Sequence, residues 1–299
     1  MLKIFTDEEN TKLTEILNKD KINRTNNEIA VLGNRIRQLA LFMVYSANSG
    51  HPGGPLGLAD IFAALFFKIM SYDKDNLLDS ESDLLILSNG HVCAVRYAAM
   101  ALAGFLPEDE LVDFRKLGSR LQGHPSTRYF PEVVTSSGSL GQGLSQAAGI
   151  ALGLKKQNKK GMVYVCISDG ECQEGMTWEA AMSIAHRKQD NLIVFVDYNN
   201  IQIDGFVEDV MDVGSLRDKF ESFGFHAITA DGHDINSILT AFEEIQSAPK
   251  NPKVIVFNTV LGKDVSFMEN QPGWHGKPPS EDQFEQAIKE LKEIFLKLN

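Results

Sequence analysis

The chain has 299 residues, 43% hydrophobic and 23% charged, a composition that excludes extended disorder and allows one large α/β domain. Its 40 acidic against 29 basic side chains give a formal charge of -11, which argues against nucleic acid or an anionic membrane surface as a partner. No uncharged apolar run reaches the roughly 18 residues of a membrane span; the best, around 61–70, is broken by Lys68.

The N-terminal sequence MLKIFTDEENTK has no apolar signal core, so export is not expected. Residues 1–30 are polar with scattered Leu and Ile and read as an arm or short helix lying on the body. From Val31, the side chains Leu32, Ile36, Leu39, Met43 and Ala47 recur at three- and four-residue spacing, which predicts a helix with one core-facing stripe. Two prolines and four glycines in Ser49–Gly57 should end it. The apolar segment 58–70 predicts a buried helix, and Leu84–Leu87 a short strand running into Ser-Asn-Gly-His.

Residues 162–167 predict a strand ending at Ser168-Asp169-Gly170-Glu171, followed by a small-residue helix over about 176–188 and a second strand over 192–197. Strand, helix and strand at this spacing make a βαβ unit, and strands apolar throughout belong in a parallel sheet buried on both faces. Residues 254–260 and, more weakly, 226–229 extend the sheet. A final helix over about 281–298 carries Phe284, Ile288, Leu291, Phe295 and Leu298 on one face, and packing on its own domain is favoured over an interface role. There is no repeat, low-complexity tract or Pro/Ser-rich linker. Residues 1–299 therefore read as one α/β domain with a mostly parallel central sheet and helices on both faces. The three sparse cysteines, Cys93, Cys166 and Cys172, lack zinc spacing and fit reduced thiols in a cytoplasmic protein.

Ligands of open parallel sheets bind at the carboxyl ends of the strands. Asp169, Gly170 and Glu174 follow one strand; Asp197, Asn199 and Asn200 follow the next. If those strands are neighbours, the Asp169 carboxylate and the Asn199 amide oxygen converge on one spot. Oxygen donors with few charges suit Mg2+ or Ca2+ shared with phosphate oxygens. Gly170 lets the backbone approach a phosphate, and the following helix offers its N-terminal amides to an anion. The alternative for each motif alone is a helix cap at Asp169 and an Asn turn. A second glycine cluster, Ser137–Gly143, precedes another small-residue helix and is by itself a weak phosphate-loop signal. Four of the seven histidines, His51, His91, His124 and His275, sit in Gly- or Pro-rich loops suited to proton transfer at a cleft. His186, His226 and His233 lack that context and read as structural.

Ser49-Gly-His-Pro-Gly-Gly-Pro-Leu-Gly57, Leu87-Ser-Asn-Gly-His91, Gly123-His-Pro125, Gly138-Ser-Leu-Gly-Gln-Gly143, Ser168-Asp-Gly170 and Asp197-Tyr-Asn-Asn-Ile-Gln-Ile-Asp-Gly205 occur in the order seen in transketolases. Over about 30–280, the chain resembles the thiamine-diphosphate-binding half of that family. The resemblance implies that Asp169, the Asn199 side chain and the Ile201 backbone carbonyl bind the divalent cation. Gly170 would lie against the diphosphate, with Gly138 and Leu140 lining the aminopyrimidine and diphosphate region. His91 and His275 would hydrogen-bond the diphosphate, His275 also near the reacting carbon. His51 and His124 would meet the sugar hydroxyls, stabilising oxyanions or shuttling protons. Glu174 resembles an interface glutamate that links paired active sites, while Asp197 reads equally as a strand-end cap.

The sequence departs from the family in Ser168, where a glycine is usual, and in Trp274-His-Gly-Lys277, where a small residue before the histidine and an apolar one after the glycine are usual. Lys277 reads either as an added cation near a phosphate or, slightly favoured, as a solvent-facing side chain. Full-length transketolases continue with pyrimidine-binding and C-terminal domains that activate the cofactor and grip the sugar phosphate. The expectation is therefore the N-terminal subunit of a split transketolase, partnered by a separate C-terminal subunit in an α2β2 assembly. The pair would move a two-carbon ketol unit from a ketose phosphate to an aldose phosphate. The alternatives are another thiamine-diphosphate enzyme, notably one for an unusual sugar, and a non-catalytic regulatory homologue. The retained Asp169, Asn199 and four histidines count against the last.

Overall fold

A computed structural model of the chain describes residues 5–77, 81–248 and 251–298. Helices α1, Asp7–Leu17, and α2, Asn26–Ser46, each start at a capping box in which a threonine side chain and a glutamate three residues on satisfy each other's backbone N–H. Of the arm or short helix expected over residues 1–30, the structure shows helix, and the signals Thr6–Glu9 and Thr25–Glu28 are legible in the sequence. Helix α3, Gly53–Ala64, runs into a π turn, Leu65–Ile69. It begins inside the Gly/Pro run expected to be loop, because Pro55 falls in the first turn, where a missing N–H breaks no bond.

Strand β1, Leu84–Leu87, and helix α4, Cys93–Leu102, follow; α4 is alanine-rich and buried all round. The middle of the chain gives α5, Gly143–Lys156, β2, Val163–Ser168, α6, Gly175–His186, and β3, Leu192–Tyr198. A tight hairpin comes next, β4, Ile201–Gln202, with β5, Gly205–Phe206, then α7, Val207–Met211, and α8, Leu216–Ser222. The remainder is β6, His226–Asp231, α9, Ile235–Ser247, β7, Lys253–Asn258, and α10, Glu281–Lys297. Strand β7 stops before Thr259 and Val260, both expected in it, because their polar groups turn toward the β3 end and toward His233.

The five long strands form one parallel sheet in the order β1-β2-β3-β7-β6. Alternate side chains feed two cores. Leu85, Leu87, Tyr164, Cys166, Ile193, Phe195, Ile255 and Phe257 pack with α2, α3, α4 and α9. Their neighbours Leu84, Ile86, Val163, Val165, Ile167, Val194 and Val254 pack with α5, α6 and α8. Both faces of the inner strands are covered, which is why β2, β3 and β7 are apolar through their middles instead of alternating, while the edge strand β6 is half-exposed.

Helix α10 lies on its own chain. Phe284 stacks on Tyr45 of α2 with ring centroids 4.1 Å apart, and Ile288 and Leu291 join Leu41, Leu56, Val265 and Met268 in a third apolar cluster. A buried ion pair fixes the helices that carry the site: the Arg37 guanidinium bonds both oxygens of Asp60 and lies 3.3 Å from Asp264. Asp60 also meets His233 Nδ1 at 3.4 Å, while His233 Nε2 accepts the Val260 N–H at 2.8 Å. Among the described residues, no helix is long and apolar enough to cross a membrane.

Candidate functional site

The ends of β2 and β3 are adjacent, with Ser168 in register with Asp197. The condition for Asp169 and Asn199 to converge is therefore met. One Asp169 oxygen accepts the Gly170 N–H at 2.7 Å and the other the Asn200 N–H at 2.6 Å, so the carboxylate caps the turn and joins the two strand ends. Helix α6 does not follow Gly170 directly. A single 3-10 turn, Gly170–Gln173, intervenes, and the α6 amides begin only at Gly175.

Asn199 is oriented from both ends of its amide: Nδ2 donates to Asp197 Oδ2 at 3.0 Å, and Oδ1 accepts the Ile201 N–H at 2.9 Å. The other Asp197 oxygen accepts the Thr259 hydroxyl. Asp197 is thus more than a strand-end cap, since it aims the Asn199 amide. Burial, with Asp197 as a second negative charge, pushes the Asp169 carboxyl up to about 7; burial raises Asp197 to about 6. A divalent cation at this spot would offset both costs. Among the described residues, no group of three or more His, Cys, Asp and Glu side chains is placed to hold a metal ion. A cation here would rely on amide and backbone oxygens beside one carboxylate, a donor set that suits a hard ion.

A cavity of about 280 Å3 opens over these strand ends, lined by Asp169, Gly170, Asn199, Ile201, Gly138, Leu140, Glu174, His51, His91 and His275. The last three come from loops far apart in sequence, yet their rings form a triangle with centroid separations of 5.1, 5.3 and 5.6 Å. Burial, reinforced by His275, Arg115 and His124, lowers His51 to about 4; burial and the neighbouring rings push His91 well below the usual range, and burial lowers His275. All three imidazoles are neutral at neutral pH. The Nδ1 atoms of His51 and His275 are buried without a hydrogen-bond partner among the described residues. Both atoms belong to residues that line the cavity, and buried polar atoms left unpaired there mark bonding capacity that a ligand or water would complete.

His124 is not among the cavity-lining residues. It is exposed and stands behind Gly138, where an added Cβ would lie 3.8 Å from its ring. Glu174 is exposed at the mouth. Ser168 faces the cavity, its hydroxyl accepting the Glu171 N–H at 3.3 Å, so the replacement of the usual glycine is accommodated by a local bond. Lys277 is exposed, its ammonium 5.3 Å from the Trp274 ring centroid. His186 is exposed, and His233 belongs to the Arg37–Asp60 network.

Sequence reasoning passes over two residues beside the cavity. Glu171 is fully buried beneath the glycine loop, and Arg115 donates to Ser49 Oγ at 2.9 Å next to His51 and His124. Nothing in the local pattern marks either, since Ser88 and Gly141 lie 83 and 30 positions from Glu171, and Ser49 lies 66 from Arg115.

The family model described as the transketolase thiamine diphosphate binding domain matches residues 29–294. The chain is 38% identical over 257 residues to an apulose-4-phosphate transketolase subunit of Actinobacillus succinogenes, covering 86% of this chain and 93% of that one. It is also 38% identical to a 6-deoxy-6-sulfo-D-fructose transketolase subunit of a Clostridium species, covering 87% and 94%. Human transketolase is 38% identical over 262 residues, but only 41% of its length is covered. The crystal structure of Campylobacter jejuni transketolase superposes with a TM-score of 0.83 at 32% identity, over 88% of this chain and 42% of that one. The chain therefore spans nearly all of the subunit-length relatives and less than half of the full-length enzymes.

Proposed function

The chain belongs to the transketolase thiamine-diphosphate-binding domain family, and from that premise we propose that it is the N-terminal subunit of a split transketolase. With a separate C-terminal subunit, it transfers a two-carbon ketol unit from a ketose phosphate to an aldose phosphate. The observation that carries this reading is one cavity ringed by Asp169, Asn199 and three neutral imidazoles, in a chain that spans nearly the whole of relatives named as single subunits. In this reading residues 1–299 act as one diphosphate-binding domain of a cytoplasmic α2β2 enzyme in pentose phosphate metabolism.

The residues fit the cofactor and its ion. Asp169, Asn199 and the Ile201 carbonyl would hold Mg2+ or Ca2+, with Asp197 aiming the Asn199 amide. Thiamine diphosphate, when bound, supplies carbanion chemistry that side chains lack. Gly170, Gly138 and Leu140 shape the walls against it. Neutral His91 and His275 each have one N–H to donate to an anionic oxygen without adding a charge to be solvated. His51 and, from the outer rim, His124 hydrogen-bond sugar hydroxyls and move a proton to or from them.

The partner reading is supported at the mouth. Ile203 lines the cavity yet is 68% exposed, and Met176, Phe206, Val210 and Met211, close in sequence to the cavity residues Glu174 and Ile203, are exposed apolar side chains as well. A C-terminal subunit covering those side chains would exclude water from the site, with exposed Glu174 facing it.

The test is ketol transfer between sugar phosphates by the purified chain, at saturating Mg2+ and thiamine diphosphate, with and without a co-expressed C-terminal subunit. Activity only with the partner, abolished by Asp169→Ala, is the expected outcome. Inertness of a cofactor-loaded pair toward every sugar phosphate overturns the assignment. A second reading, favoured by the sugars in the names of two relatives, keeps the cofactor and changes the substrate to an unusual ketose. It predicts faster turnover with such a ketose than with a common pentose phosphate.

A further inference from the structure

Glu171 is a fully buried carboxylate to which the roles above assign nothing. Three segments donate to it. The Ser88 hydroxyl, at the end of β1, bonds Oε1; the Gly141 N–H bonds the same oxygen at 2.7 Å; and the Ser168 N–H, at the end of β2, reaches Oε2 at 3.3 Å. Ser88 Oγ in turn accepts the Gly143 N–H at 3.0 Å, so a second amide of the glycine loop is tied to the same carboxylate through one hydroxyl. The Glu171 carbonyl accepts the Thr177 hydroxyl at 3.1 Å, which anchors the clamp to the first turn of α6.

The packing beneath is as tight as the hydrogen bonding. Gly141 has φ +81, a conformation that favours glycine, and a Cβ there would lie 2.8 Å from Glu174 Cβ. A Cβ on Gly143 would lie 2.7 Å from Ser88 Cα. The loop that places Gly138 and Leu140 in the cavity wall is thus seated tightly on Glu174 and Ser88, with the Gly141 N–H bonded to Glu171 directly and the Gly143 N–H bonded to it through the Ser88 hydroxyl. Removing that acceptor strands buried donors, which costs more than the bonds themselves contribute.

Resting on the cofactor reading above, we infer that Glu171 is a positioning residue. Through Ser88 and Gly141 it locks the Gly138–Gly143 loop to the ends of β1 and β2, and so presets the cavity wall for the diphosphate. It touches neither the cavity space nor the substrate.

The experiment compares Glu171→Ala, Glu171→Gln and Ser88→Ala with wild type, each chain assembled with its C-terminal subunit. Thiamine diphosphate affinity at saturating Mg2+ is read by fluorescence quenching, amide exchange of 138–143 is read without cofactor, and melting is recorded alongside. The alanine variant should raise the Kd about tenfold, equivalent to about 1.4 kcal/mol, and speed exchange at Gly141 and Gly143. Glutamine keeps the Oε1 acceptor for Ser88 and Gly141, so it should restore most of the affinity; Ser88→Ala should fall between. A purely structural role would lower melting while leaving the Kd of folded variants unchanged, and that result overturns the inference. If Glu171→Ala fails to assemble, the glutamine and Ser88 variants decide it by the same criterion. A wild-type assembly that binds no thiamine diphosphate overturns the cofactor reading, and with it the ligand half of the inference. A binding wild type with indifferent variants overturns the inference alone.

Discussion

At the scale of single residues, the site is governed by what burial does to charge. Asp169 is held near 7 by burial and by Asp197, and its carboxylate must be ionised to bind a cation. Cation affinity should therefore rise with pH through that value, being about tenfold weaker at pH 6 than at pH 8. Calorimetric titration of Mg2+ at the two pH values, with thiamine diphosphate present, checks this; equal affinities would show that Asp169 is no ligand. His51 titrates in the opposite sense. Its folded value lies near 4, so as pH falls below the ordinary imidazole value of about 6.5 the unfolded chain takes a proton that the folded chain refuses. Stability is lost between about 6.5 and about 4, and a His51→Gln variant should show a flatter stability–pH curve across that window in urea titrations. The residue types at Asp169, Asn199 and the histidines are readable from the sequence because their glycine-rich surroundings are unusual. The roles of Asp197 and Glu171 are not, because a buried carboxylate is defined by donors that arrive from distant segments.

At the scale of elements, hydrophobic period decides most of the outcome. The continuous apolar runs of β2, β3 and β7 identify buried parallel strands, and each occupies the predicted place to within two residues at either end. The run around Pro52 and Pro55 misleads, since proline is a breaker inside a helix and a starter in its first turn. Helix α10 shows how an amphipathic stripe leaves its partner open: the stripe is clear, and only the structure supplies α2 as the surface beneath it. Phe284 is 7% exposed and stacked on Tyr45, so Phe284→Ala should cost about 3 kcal/mol. A lower urea midpoint with unchanged slope would register it, and an unchanged midpoint would mean that α10 packs only weakly.

At the scale of the whole molecule, exposed apolar side chains are scattered, and one set of them, Met176, Ile203, Phe206, Val210 and Met211, comes from segments next to the cavity residues Glu174 and Asn199. Met211 is 60% exposed and borders the hairpin that follows Asn199. Met211→Asp should leave the melting of the isolated chain unchanged. Its affinity for the C-terminal subunit should fall about tenfold or more, as read by analytical ultracentrifugation. Undiminished assembly would place the partner elsewhere. The sequence by itself determined the α/β class, the strands, the family and the residue types of the cavity, because local period and short motifs carry that information. The tertiary structure alone decided that β7 lies between β3 and β6, that three imidazoles meet while His124 stands outside, and that Glu171 ties three loops together. Those outcomes depend on which distant segments share a buried space, and no local pattern encodes the neighbour that burial will supply.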